Sequence, residues 1–194
     1  MRTPESCSFS LALLGVRNVA DNQVWKYRGQ RRPPFAEEPE AGQESVWDYP
    51  RPPAIVVDRR HVEVRFGNLI IADSRQNYRI LETASPPTFY VPPHEVRVHL
   101  LEPYPGISNC EWKGVARYWG LRDRSDFPQA IGWSYPSPTP PFEAIAGFFS
   151  FYPLLVACFV DGEPVRPQPG EFDGGWITSE IVGPFKGSAD TRYW

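Results

Sequence analysis

A chain of 194 residues with 41% hydrophobic content, including 7 Trp, 9 Tyr and 12 Phe, carries enough apolar surface for one folded domain of medium size. Its 23 Pro and 15 Gly exclude a fold built on long helices and predict a mainly β protein rich in turns. With 20 basic against 23 acidic residues, a formal net charge of -3, there is no electrostatic case for a nucleic-acid binder, and no nucleic acid is expected as a partner.

Residues 1–44 contain Arg28-Gly29-Gln30-Arg31-Arg32-Pro33-Pro34 and Glu37-Glu38-Pro39-Glu40, a mix of charge and proline without periodicity, and read as a flexible N-terminal arm. Within it the apolar run Phe9 to Val16 is short, carries Ser10 and precedes Arg17 with no small-residue cleavage site, so it is not read as a signal peptide. No other stretch is long and apolar enough to cross a bilayer, and no membrane partner is expected. Cys7, Cys110 and Cys158 are far apart, odd in number and lack any CxxC pair, which argues against a disulfide framework or a zinc knuckle. A soluble protein of the reducing cytoplasm, with no cofactor and no metal, is the expectation.

Residues 45–194 read as a single β-rich domain. Trp47-Asp48-Tyr49-Pro50 begins it, and Arg51-Pro52-Pro53 holds an extended path. Apolar residues alternate through His61 to Phe66, Gly67-Asn68 offers a two-residue turn, and Leu69 to Ala72 completes a predicted hairpin. Further strands are expected at Tyr78–Thr83, Thr88–Val91, Val96–Leu101, Lys113–Leu121 and Ala130–Tyr135. One principal helix is predicted over about 140–152, with Thr139 as cap, Pro140 at its first position, and Phe142, Ile145, Ala146, Phe149 and Tyr152 on one face. Leu154 to Val160, Asp161-Gly162 and Glu163 to Val165 form a second hairpin. The tail from Pro167 to Trp194 is expected to wrap the domain through Phe172, Trp176, Ile177 and Phe185. Trp47-Asp48-Tyr49-Pro50 and Trp133-Ser134-Tyr135-Pro136 share a pattern, but no fixed period links them and no duplication is inferred.

The segment Asn109-Cys110-Glu111-Trp112-Lys113-Gly114 concentrates a thiol, a carboxylate, an indole and an ammonium within six residues. If it is extended, Cys110 and Trp112 face one side and Glu111 and Lys113 the other, and only a bulge or turn near Gly114 brings Cys110 to Lys113. A thiol beside an ammonium can serve as a nucleophile, whereas a free cysteine is as commonly a small packing residue. His94 and His99 are five apart, which suits no standard metal motif.

Leu81-Glu82-Thr83, Pro86 to Pro92, Cys110 to Gly114, Trp133 to Pro136, Ala144 to Gly147 and Phe151-Tyr152, in this order, resemble a bacterial domain-of-unknown-function family, number 427, which also carries a nucleotidyltransferase-like label. The resemblance covers about Ser45 to the C-terminus. It implies a compact domain of the β-tent type, antiparallel sheets folded over one another with a helix alongside. Members of that broad fold group hold zinc through paired CxxC motifs; this chain has none, so zinc is not carried over.

Three functions are weighed. The first is a small-molecule site lined by Glu82, Tyr90, Cys110, Trp112, Lys113 and Tyr135, in which Cys110 is the nucleophile, Glu82 or Lys113 handles protons, and the aromatics stack a planar ligand. The second is a non-catalytic interaction module that presents Trp, Tyr and Pro segments. The third is the nucleotidyltransferase of the label, for which neither a phosphate-cradling glycine loop nor paired aspartates are found. Convergence of Glu82, Cys110 and Lys113 in one concavity separates the first from the second.

Overall fold

The structure, a computed structural model, describes residues 25–170 and 173–194. The chain runs through β1 (Glu44–Ser45), β2 (Ala54–Asp58), β3 (Val62–Phe66), β4 (Leu69–Ser74), β5 (Asn77–Glu82) and β6 (Ser85–Tyr90). Then come β7 (Leu101–Cys110), β8 (Gly114–Leu121), β9 (Ala130–Ser134) and β10 (Phe149–Phe151). The chain closes with β11 (Ala157–Val160), β12 (Glu163–Pro164), β13 (Arg166–Pro167), β14 (Trp176–Ile177) and β15 (Ile181–Val182). Two four-stranded antiparallel sheets, ordered β10-β9-β8-β7 and β12-β11-β3-β4, form the body. The three-stranded antiparallel sheet β2-β5-β6 joins β10 through a bridge between Val91 and Phe149. The domain is mainly β, as the sequence predicts.

Alternation explains the strands that face a core on one side. In β3, Val62 and Val64 are fully buried while Glu63 and Arg65 point outward, and Gly67 takes φ 57° to close the turn into β4. Val62 and Val64 pack with Ile71, Phe89, Leu121, Ile131, Phe151 and Trp176 in the main core. A second cluster, built from Ile80, Tyr90, Ala116, Trp133, Tyr135, Phe142 and Ile145, underlies the site described below. The predicted hairpin after Pro153 is β11–β12, turned at Asp161 and Gly162, both with positive φ.

Three expectations are corrected. The helix predicted over 140–152 is a 3-10 segment confined to Pro140–Ile145, and Phe149 to Phe151 are strand. Gly147 adopts φ 72° and donates to Tyr135 O at 2.9 Å, which ends the helix and turns the chain into β10. Thr139 does not cap through its side chain, because its hydroxyl is spent on Trp112 O. Val96 to Leu101, expected as a strand, folds into a 3-10 turn at Val98–Leu100. Arg122 satisfies the carbonyls there, donating from Nε to His99 O at 3.0 Å and from Nη2 to Leu101 O at 2.9 Å.

Of the expected N-terminal arm, residues 1–24 lie outside the described residues, while residues 25–44 pack on the domain. Tyr27 and Phe35 meet the Trp47 ring edge-on at 5.2 Å each. In the tail Trp176 and Ile177 are buried, and Phe172 lies outside the described residues.

Candidate functional site

The β7–β8 hairpin decides the site. Cys110 pairs with Gly114, and Glu111, Trp112 and Lys113 form the turn between them, with Gly114 at φ 91°. A continuous strand would send Cys110 and Lys113 to opposite faces; the reversal instead brings both to the lining of one cleft. Thr139 N donates to Lys113 O at 3.2 Å, so the segment leading into the 3-10 turn holds the hairpin tip in place.

The tip closes one wall of a cleft of about 360 Å³ lined by Glu82, Cys110, Trp112, Lys113 and Tyr135. Tyr90 is the exception among the predicted site residues. It is fully buried behind the lining, where its hydroxyl accepts from Trp133 Nε1 at 3.2 Å. Tyr135 lies beneath the Lys113 ammonium, which sits 5.7 Å from its ring centroid.

Electrostatics sort these groups by role. Burial works against the Lys113 ammonium, and the charge of the Glu82 carboxylate acts the other way. Tyr90 and Tyr135 are pushed up by burial and stay neutral. Glu82 is engaged by Arg51, whose Nη2 stands 3.2 Å from Oε1, and the Arg51 side chain is only 3% exposed. Arg51 also donates to three carbonyls, Tyr27 O at 2.6 Å, Trp194 O at 2.9 Å and Thr83 O at 2.8 Å, tying both ends of the described chain to the cleft wall.

The tail and the arm supply residues that the sequence did not point to. Gln168, Asp173 and Lys186 line the cleft from the tail, and Trp25 from the arm. Asp173 is carried there by Gly174 and Gly175, which pass so close to the domain that a Cβ on Gly174 would lie 2.2 Å from Trp133 Cη2. Burial pushes the Asp173 carboxyl above the usual carboxylate range, and Lys186 and Lys113 pull the other way. Trp25 spans the mouth: its ring lies 4.1 Å from Lys186 Nζ and 4.4 Å from Arg51 Cζ, and its Nε1 donates to Glu111 Oε1 at 2.6 Å. A Gly-Gly pair beside an acid in an aromatic-rich tail was the one available signal for Asp173. For Lys186 the available signal was Phe185-Lys186-Gly187, the same aromatic-Lys-Gly pattern as Trp112-Lys113-Gly114, and nothing local marks Trp25.

The cleft thus combines a thiol, two lysines and three carboxyl groups above an aromatic floor, a set able to bind a small polar molecule and to support nucleophilic attack by sulfur. Among the described residues no three His, Cys, Asp or Glu side chains group so as to hold a metal ion, and no helix there is long and apolar enough to cross a membrane. No curated protein matches the chain. The family model described as Domain of unknown function (DUF427) matches residues 54–162, more than half of the sequence, and the chain belongs to that family.

Proposed function

We propose that this domain binds a small molecule in the cleft and that Cys110 is its reactive group. The observation that carries the reading is the convergence of Glu82, Cys110 and Lys113 on one concavity, three residues drawn from two sheets and a hairpin turn. In this reading Lys113 stabilises the thiolate of Cys110 by its charge, the aromatic floor holds a planar ligand, and Glu82 and Asp173 are the carboxyl groups available for proton transfer.

The interaction-module reading draws less support. The exposed large apolar residues, such as Val57, Leu154 and Tyr193, are spread over different elements. The β7 edge carries Pro103 and Pro105, which blunt it against pairing with another chain. A nucleotidyltransferase would need carboxylates gathered around a divalent ion. The described residues do not fit that requirement, and no step is derived through a metal.

The test is a thermal-shift screen of wild type, Cys110→Ala and Lys113→Ala against metabolites, nucleotides and divalent cations. The reading expects a compound that raises the wild-type midpoint and loses this effect in both variants. A compound that stabilises all three proteins equally would place binding elsewhere and sink the reading.

A further inference from the structure

Two lysines line the cleft without a carboxylate partner among the described residues. Trp112 Nε1 is buried and has no partner among the described residues. Neither Lys113 nor Lys186 forms an ion pair with any of the described residues, whereas the recessed arginines Arg51 and Arg79 both do. Lys186 is only 8% exposed. A recessed ammonium without a counter-ion is costly, and so is a buried N–H without an acceptor.

The acceptors nearby are already committed. Glu82 belongs to Arg51 and Glu111 accepts from Trp25. Asp173 lies within the fields of both lysines but contacts neither as an ion pair, and its burial favours the neutral acid. The two lysines therefore present positive charge toward the same space, bordered by Tyr118, Trp133, Tyr135 and Tyr152. At about 360 Å³ that space lies at the small end of ligand pockets, the size for one ring with substituents and too small for a dinucleotide.

Resting on the small-molecule reading above, we infer that the cleft takes a planar aromatic or unsaturated ligand bearing one oxyanion group, which Lys113 and Lys186 hold while the rings of Trp133 and Tyr135 border its flat body. The charge-assisted bonds supply affinity and orientation, and the aromatic walls supply shape. The shared chemistry is that of a carboxylate or a phosphate monoester. The ring would lie beside Cys110, within reach of its sulfur.

The experiment is calorimetric titration of the full-length protein, at constant ionic strength, with sodium benzoate, phenyl phosphate and the neutral benzamide, repeated on Lys113→Met and Lys186→Met. At least one anion is expected to bind about tenfold or more tighter than benzamide, and each Met variant to lose about tenfold for that anion with little change for benzamide. Which anion binds tells carboxylate from phosphate. Benzamide binding as tightly as both anions, with the Met variants unaffected, would overturn the oxyanion assignment and leave the pocket standing. Binding by none of the three compounds up to about 10 mM, a range in which even a weak specific contact registers, would overturn both. The wild-type comparison of benzoate with benzamide stands even if a Met variant fails to fold.

Discussion

Arg51 is the residue whose loss should be felt most widely. Its guanidinium donates to Tyr27 O, Trp194 O, Thr83 O and the Glu82 carboxylate with a side chain 3% exposed. Arg51→Met preserves much of the aliphatic stem and removes all four donors. Leaving a buried acceptor unsatisfied costs about 1–3 kcal/mol, but Tyr27 and Trp194 lie near the described chain ends and can turn toward water, so the low end applies to them. Adding the partly buried carboxylate left without its cation gives a total of about 3–5 kcal/mol, the range for breaking a buried pair from one side. For a chain of this size that corresponds to a fall in midpoint of roughly 10 °C. Urea unfolding followed by tryptophan fluorescence reads it, with an unchanged m-value showing that the folded and unfolded surfaces are otherwise alike. A loss below about 1 kcal/mol would refute the view that Arg51 ties the arm, the C-terminus and the cleft wall together.

Other outcomes follow from the same geometry. Gly174→Ala puts a Cβ 2.2 Å from Trp133 Cη2, so it should cost about 1–3 kcal/mol in thermal or urea unfolding and weaken ligand binding by displacing Asp173. Asp58 is 5% exposed; burial opposes its charge, but the Arg60 hydrogen bonds and the field of Arg79 hold its pKa below the ordinary value. A lowered acid contributes stability above its unfolded pKa, about 4, and loses it as pH falls through the folded value. The midpoint difference between wild type and Asp58→Asn, followed against pH by calorimetry, should therefore be full near neutrality and shrink below about pH 4. Burial holds the Cys158 thiol well above its usual range, while Cys110 lies at the cleft. Alkylation of the native protein, mapped by peptide mass, should mark Cys110 and spare Cys158.

What could be read from the residues, and what could not, divides along physical lines. The β3–β4 hairpin was legible because Val62 and Val64 alternate with charged residues and Gly67-Asn68 supplies the turn. β7 was not legible. Pro103, Pro105 and Gly106 look like breakers, yet the strand lies at a sheet edge, where an outward-facing position needs no N–H, and its register shifts between Tyr104 and Ile107 to absorb them. Pro86 and Pro87 sit in edge strand β6 for the same reason. The helical spacing of Phe142, Ile145, Phe149 and Tyr152 is real, but the first two are buried from a 3-10 turn and Phe149 from a strand, so the periodicity spans two elements.

The site was legible where its chemistry is local. Cys110, Trp112 and Lys113 share one tight turn, and composition alone drew attention to it. Tyr90 was placed on the right strand but on the wrong side of the lining, because an aromatic in a strand next to a pocket reads the same whether it faces cavity or core. Asp173, Lys186 and Trp25 reach the cleft only through the path of the tail and arm, which no periodicity encodes.

The most direct test of the cleft as a ligand site is a two-dimensional proton–nitrogen NMR titration that follows the tryptophan indole signals while the oxyanion ligands are added. Trp112 and Trp25 border the cleft, whereas Trp47 and Trp176 are buried in other clusters. The account predicts saturable shifts of the Trp112 and Trp25 indole signals with Trp47 and Trp176 unmoved. Saturable shifts confined to Trp47 or Trp176, or no indole shift at all with every anion tested, would contradict it.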